Sequence, residues 1–293
     1  MKSGFACVVG RPNVGKSTLT NALVGGKVAI TSPHPQTTRH AVRGIVHRPD
    51  AQIVIVDTPG LHRPRTLLGE RLNHVVRTTW TSVDAIVFCV PADETVGSGD
   101  RFLASELTEI RRTPKLAVIT KVDAASPDRV AAQLAAVTEL GDWAEVVPVS
   151  ATTGFQLGLL VDLVTKQLPE GEPLYPDGEL TDEPDAVMVA ELIREAALDG
   201  VREELPHSIA VTVEEMQPRE HKDLLDIHAT VHVERDSQKG IVIGKGGARL
   251  GTVGAKARKQ IEAMLGTRVF LDLHVRVAKD WQRDPKQLKR LGF

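Results

Sequence analysis

Residues 10–17, Gly-Arg-Pro-Asn-Val-Gly-Lys-Ser, constrain this chain more than any other stretch. They fit the pattern G-x-x-x-x-G-K-[ST], follow an apolar run at 4–9 and precede a helical pattern at 17–23. Such a loop works only between a buried strand and the start of a helix. Its glycines let backbone N–H groups turn inward around phosphate oxygens at the helix's positive end. Lys16 then brings a point charge to the β- and γ-phosphates, and the Ser17 hydroxyl ligates Mg²⁺. Asn13, Val14, Gly15 and Thr18 complete the cradle. At average composition the pattern recurs by chance in a chain this long on the order of one time in a hundred.

The surrounding sequence agrees with that local demand. Apolar runs at 4–9, 53–56, 85–90, 115–119 and 146–149 predict buried strands, with amphipathic stretches at 17–23, 69–79 and 129–140 between them. The alternation predicts an α/β P-loop domain, a mostly parallel sheet with helices on both faces. Residues 41–46 and 53–56, joined through Arg48-Pro49-Asp50, predict a hairpin, hence six strands with one antiparallel edge strand. Ser126-Pro127-Asp128 is a helix start, with a serine cap and proline at the first helical position.

The texture changes after Leu168. Residues 169–185 hold four prolines, two glycines and only acidic charges, which predicts an acidic linker between a domain at 1–168 and another at 186–293. The second reads as α+β: a helix over 186–203, strands at 208–214, 225–233 and 269–277, and a glycine turn with a helix before the last strand. The formal net charge of −2 excludes a global positive field, so any basic surface is local. Cys7 and Cys89 sit in apolar runs and predict buried free thiols. With no disulfide framework, no apolar leader and no stretch of membrane-spanning length, a cytoplasmic location is expected. The ten histidines show no metal spacing.

Three further motifs predict which nucleotide the loop holds. Asp57-Thr-Pro-Gly60 ends a strand, where an aspartate can hold Mg²⁺ and Gly60 can bring its N–H to a γ-phosphate. Departure of that phosphate would release the following segment. Thr120-Lys121-Val-Asp123 ends another strand. There the Asp123 carboxylate can accept from both the ring N–H and the amino group of guanine, a pair adenine lacks. Lys121 would lay its stem along the base, and Ser150-Ala151 would offer the Ala151 N–H to the guanine carbonyl. An ATPase is the alternative.

With these residues in place, the chain resembles the translation-factor class of GTPases and, within it, the Era family of the TrmE–Era branch. The matching residues are 10–17, Gln36-Thr37-Thr38-Arg39, Asp57–Gly60 with Leu61-His62, Ser150-Ala151, Val242-Ile-Gly244-Lys-Gly-Gly247-Ala-Arg-Leu250 and the closing 272–293. The resemblance therefore spans nearly the whole chain. It implies that Thr38, with Thr37 second, ligates Mg²⁺ in the GTP state, so Ser17, Thr38 and Asp57 form the metal set and Lys16, Thr38 and Gly60 the catalytic one. It also implies K⁺ beside the phosphates, marked by Asn13; the alternative is that this asparagine is a turn residue. The chain departs from the family in two places. Thr120 stands where asparagine is usual, which predicts looser nucleotide binding, since threonine lacks the amide fork. Gly251 stands where relatives tend to be basic. Leu61 follows D-x-x-G where Ras-like proteins carry glutamine, so attacking water is positioned otherwise and slow hydrolysis is expected.

In the C-terminal domain, Gly244-Lys-Gly-Gly247 predicts the loop of a type II KH domain, where glycines admit nucleic-acid backbone and about four unpaired nucleotides lie in an apolar groove. Ile243, Gly244, Lys245, Gly246, Gly247, Arg249, Lys256 and Arg258 are the candidate RNA contacts, with Ile241, Ile243 and Leu250 as groove walls. Trp281 is expected to cover a core, the alternative being to stack a base.

The combined expectation is a GTP-gated switch that binds single-stranded RNA, with the acidic linker resting near the basic KH patch in one nucleotide state. The resemblance implies the target: the 3′ end of small-subunit ribosomal RNA on the small ribosomal subunit, during ribosome assembly, by a monomer. Peripheral association with the inner face of the cell membrane is a further alternative, as is a GTP-dependent module whose KH-like domain binds protein or a membrane surface.

Overall fold

A computed structural model describes every residue of the chain except 35, 62, 63 and 202–204. The chain forms two compact units: Met1–Pro64 with Gly69–Asp182, and Arg65–Leu68 with Glu183–Phe293.

The first unit is built from β1 (Lys2–Val9), α1 (Lys16–Val24), β2 (Val42–His47), β3 (Ala51–Asp57), α2 (Leu67–Trp80), β4 (Ala85–Pro91), α3 (Ser98–Thr108), β5 (Lys115–Thr120), α4 (Pro127–Thr138), β6 (Glu145–Pro148) and α5 (Leu157–Gln167). Its six strands lie in the order β2-β3-β1-β4-β5-β6. Only the β2–β3 pair is antiparallel. Every residue of β3 and β4 is buried, as expected where helices cover both faces of a parallel sheet. Alternate strand residues feed two cores. Ala6, Val8, Ile53, Ile55 and Val87 pack with Leu19 and Leu160. Cys7, Val9, Val56, Ile86 and Phe88 pack with Val76, Leu103 and Val137. Both cysteines are free and buried; burial pushes the Cys89 thiol up to about 12 and raises that of Cys7 as well.

The strand order reverses beside β1, which lies between β3 and β4. In open sheets that reversal, at the carboxyl ends of the strands, opens a crevice for ligands. The loop at 10–15 leaves β1 there, so topology alone puts it at the mouth of a site.

The acidic stretch is no free tether. It runs along β2, the edge strand, as a strap. The Ile45 N–H donates to the Leu180 carbonyl (2.8 Å). Thr181 Oγ1 donates to the Arg43 carbonyl (2.6 Å) and Arg43 pairs with Asp182 (2.8 Å). Gln52, 1% exposed, grips the strap with its whole amide. Its oxygen accepts the N–H of Leu174 (2.7 Å) and Tyr175 (2.9 Å), and its nitrogen donates to the Tyr175 carbonyl (2.8 Å). These contacts engage Asp182 and the strap backbone with β2 and β3.

The second unit contains α6 (Asp185–Leu198), α7 (Leu205–Ser208), β7 (Ala210–Pro218), β8 (Leu225–Val233), α8 (Asp236–Ile243), α9 (Ala248–Leu265), β9 (Val269–Val277) and α10 (Pro285–Arg290). Its sheet order is β7-β8-β9, with β7–β8 antiparallel and β8–β9 parallel. Val253, Ala257 and Ile261 form the buried stripe of α9. Trp281 is fully buried, donates from Nε1 to the Ser208 carbonyl (3.0 Å) and stacks on Phe293; it covers a core and does not offer its face to a base.

Three expectations change. The helix expected over 186–203 ends at Leu198, where Asp199 turns extended and Gly200 takes a left-handed φ of 69°; residues 202 and 203 lie outside the described ones. The apolar segment before the glycine loop is a helix, α8, started by the Gln238 side chain accepting from the N–H groups of Glu234 and Arg235. Helical phase then buries Val242 and leaves Ile241 54% exposed. The strand expected at 208–214 begins at Ala210, because Ser208 closes α7, and continues to Pro218 across a bulge between Val213 and Glu215.

Candidate functional site

At the end of β1 the chain turns through Asn13 (φ 65°) and Gly15 (φ 94°) into α1. Gly15 takes the left-handed conformation that a side chain disfavours. A Cβ at Gly10 would stand 2.6 Å from the Cys89 carbonyl, so the loop sits directly on β4. Lys16 is 6% exposed and donates from Nζ to the Arg11 carbonyl (2.8 Å). Burial pulls its ammonium down and pushes the Asp57 carboxyl up; each charge partly offsets the other's shift.

Ser17, Thr38 and Asp57 converge. Ser17 Oγ donates to Asp57 Oδ2 (2.6 Å) and lies 2.9 Å from Thr38 Oγ1, itself 3.4 Å from Asp57 Oδ2. Among the described residues, Asp57 Oδ1 is buried without a hydrogen-bond partner. An orphaned carboxylate oxygen beside two hydroxyls is a donor set that suits a hard, oxygen-seeking cation such as Mg²⁺. Thr37 does not join this set: its hydroxyl donates to the His34 carbonyl (2.6 Å). Asn13 donates its amide to the Pro33 carbonyl (2.8 Å), tying the phosphate loop to the segment that leads to Thr38. A Cβ at Gly60 would meet Pro12 N at 2.9 Å, so only glycine passes there. Leu61 is 8% exposed and packs into the core, with no group to orient water. His62 lies outside the described residues.

On the base side Thr120 makes a link that its place in the sequence does not reveal. Its hydroxyl, 4% exposed, donates to the Val14 carbonyl (2.5 Å). Threonine therefore keeps the tie between this loop and the phosphate loop; what it lacks is reach toward a base. Lys121 (φ 56°) lies 3.3 Å from Asp93 Oδ2. Asp123 is exposed and Ala151 half-buried, while the buried Ser150 hydroxyl accepts the Thr153 N–H (3.1 Å). A cleft of about 290 Å³ brings together Asn13, Gly15, Lys16, Ser17, Thr18, Thr38, Gly60 and Lys121. Asp57 and Val14 underlie it, and Asp123, Ser150 and Ala151 do not line it.

In the second unit a groove of about 370 Å³ runs between α9 and β9, lined by Gly247, Leu250, Gly251, Gly254, Ala255, Arg258, Leu271 and Leu273. Of the expected walls, Leu250 lines it and Ile241 and Ile243 do not; helical phase turns Ile241 outward. Gly244, Gly246 and Gly247 all have positive φ (74°, 60° and 82°), and Lys245 is exposed. Two expected RNA contacts are engaged elsewhere. Arg249 Nη2 donates to the carbonyls of Ala197 (3.2 Å) and Asp199 (2.7 Å), capping α6. Lys256 pairs with Asp199 (2.6 Å). A cation at a helix C-terminus satisfies carbonyls that the helix leaves open. Sequence reading missed Leu271 and Leu273, although their alternation in β9 placed them on one face. It also missed Arg11 and Asp93, which no motif marks.

Fold and cleft together define a P-loop GTPase joined to a KH domain. Models described as 50S ribosome-binding GTPase and as KH domain match residues 5–121 and 204–282. GTPase Era of Streptomyces coelicolor is 69% identical, covering 100% of this chain and 95% of its own, and that of Mycobacterium avium is 64% identical, covering 100% and 99%. The chain belongs to the Era family of GTPases. Two solved structures, each 38% identical with TM-score 0.96 over 100% of this chain and 99% of theirs, are an Aquifex aeolicus Era variant bound to GDP and AlF4⁻, and Era with MgGDPNP and nucleotides 1506–1542 of 16S ribosomal RNA.

Proposed function

We propose that this GTPase is a switch whose KH domain binds the single-stranded 3′ end of small-subunit ribosomal RNA during assembly of the small subunit. The observation that carries the RNA reading is the groove beside the glycine loop. It is apolar at Leu250, Leu271 and Leu273, open at Gly251 and Gly254, and bears the Arg258 guanidinium at one end. The relative solved with a 16S ribosomal RNA segment supports that choice of target.

In the nucleotide cleft, Ser17, Thr38 and Asp57 would hold Mg²⁺, which when bound neutralises charge shared by the β- and γ-phosphates. Lys16 brings a second positive charge to those oxygens. The amides from Asn13 to Thr18 hold the phosphate chain against the start of α1. Asp123 reads guanine, the Lys121 stem lies along the base, and Ala151 offers its N–H to the carbonyl. Thr38 beside Ser17 and Asp57 is the arrangement a γ-phosphate would favour, and Gly60 is the second contact that such a phosphate would gain. Leu61, packed in the core, has no side-chain group to orient water, which suits slow turnover. The Asn13 carbonyl oxygen is a candidate ligand for K⁺. Hydrolysis rates matched in sodium and potassium buffers would remove that ion from the scheme.

Gly246→Asp tests the RNA assignment in the full chain. Aspartate tolerates a left-handed backbone better than most residues, and no atom lies within 4 Å of the added Cβ, so the fold should survive. A carboxylate there repels phosphate. Expected are at least about a tenfold loss of affinity for a single-stranded RNA of the 3′-end sequence and unchanged GTP hydrolysis. RNA binding equal to wild type would refute the assignment and favour a protein or membrane surface as the partner.

A further inference from the structure

The segment between β4 and α3, together with the first turn of α3, carries three carboxylates that no nucleotide motif includes, and they reach both loops of the nucleotide cleft. Asp100, in the first turn of α3, is fully buried. Its Oδ1 accepts Arg11 Nε (2.8 Å), while its Oδ2 accepts the Gly97 N–H (2.9 Å). Glu94 accepts Arg11 Nη2 (2.9 Å). Asp93, the adjacent residue, pairs with Lys121 of the base loop (3.3 Å). A Cβ at Gly99 would stand 2.6 Å from Arg11 Cδ, so the arginine stem lies flat on the start of α3.

Arg11 is the second residue of the phosphate loop, and its main chain is at the centre of that loop's contacts. Its carbonyl accepts Lys16 Nζ (2.8 Å). The next residue, Pro12, fills the space that a Cβ at Gly60 would need. A buried carboxylate is costly unless it is paired and hydrogen-bonded. Asp100 meets that condition through Arg11 on one oxygen and the helix start on the other. A buried, paired carboxylate is therefore placed where it fixes the side chain of a residue whose backbone shapes the nucleotide cleft.

We infer that Asp100 is a positioning residue for nucleotide binding. Through Arg11 it seats the phosphate loop on α3, with Glu94 as a weaker outer partner and Asp93 holding Lys121 from the same segment. The inference rests on the reading of this cleft as the guanine-nucleotide site. The loop contacts phosphates in ground and transition states alike, so its loosening weakens binding more than it slows chemistry.

The test is GDP release from the full-length protein in Mg²⁺ buffer, followed with N-methylanthraniloyl-GDP, alongside KM and kcat for GTP and thermal unfolding without nucleotide. Asp100→Asn should speed release and raise KM by about tenfold, leaving kcat within about threefold. Arg11→Met should match it. The double variant should be no worse than Arg11→Met within about twofold, because the two side chains act as one unit. If Asp100→Asn does not fold, Arg11→Lys and Glu94→Gln carry the test, with release faster by about threefold to fivefold and about twofold to threefold. Variants that unfold at lower temperature yet release GDP at the wild-type rate when folded would show a merely structural pair and overturn the inference. Failure of the wild-type chain to retain GDP would instead remove the nucleotide reading itself.

Discussion

Thr120→Val isolates the hydroxyl that links the base loop to the phosphate loop. Valine has nearly the shape of threonine, so the change removes little but the hydrogen bond to the Val14 carbonyl, 2.5 Å long and made by a residue 4% exposed. Leaving a buried carbonyl without its partner costs about 1–3 kcal/mol. In a domain of this size about 2 kcal/mol lowers the melting temperature by roughly 4–8 °C. Val14 sits inside the phosphate loop, so part of the loss should appear in nucleotide affinity; about 1.4 kcal/mol is tenfold. Differential scanning fluorimetry of the nucleotide-free protein and stopped-flow release of labelled GDP measure the two parts. A variant that melts within about 1 °C of wild type and releases GDP within about twofold would refute the reasoning, since the hydroxyl would then be idle. Thr120→Asn is the complementary change: if reach toward the base is what threonine lacks, asparagine should bind GDP more tightly than wild type.

Two further outcomes separate stability from binding in the KH unit. Arg249→Met should destabilise that unit by about 1–2 kcal/mol through loss of the cap on α6, measured by urea unfolding, and should change RNA affinity much less than Arg258→Met does. Burial, reinforced by Arg290, pushes the His232 imidazole from its ordinary 6.5 down to about 4. The unfolded chain then takes up a proton that the folded sheet refuses, so stability is full above the ordinary value and falls as pH drops toward the folded one. Between pH 7 and pH 4.5 the loss should be about 2 kcal/mol, and His232→Gln should remove that component from the urea-unfolding profile.

The nucleotide half of the chain was largely legible because its motifs act where they stand. A glycine-rich turn between strand and helix, and aspartates at strand ends, draw their meaning from immediate neighbours. What sequence reading could not see depended on partners far along the chain. Thr120 was read as a deficiency because its acceptor is Val14; the pairing exists only once β1 and β5 lie in one sheet. The charges at 169–182 were plain, but not that Gln52 and Arg43 receive that stretch. In the KH unit, counting positive charges could not show that Arg249 and Lys256 also bond the end of α6. Ile241 and Val242 were separable only through helical phase, which required knowing that α8 begins at Asp236.

The strap along β2 alters where this chain can be cut. Residues 1–168 look like a natural excision product by composition, yet trimming there would strip Ile45 of its acceptor and Gln52 of all three strap hydrogen bonds. A bare strand margin of that kind invites pairing between molecules and precipitation. An excised nucleotide module that stays dispersed should end no earlier than Asp182.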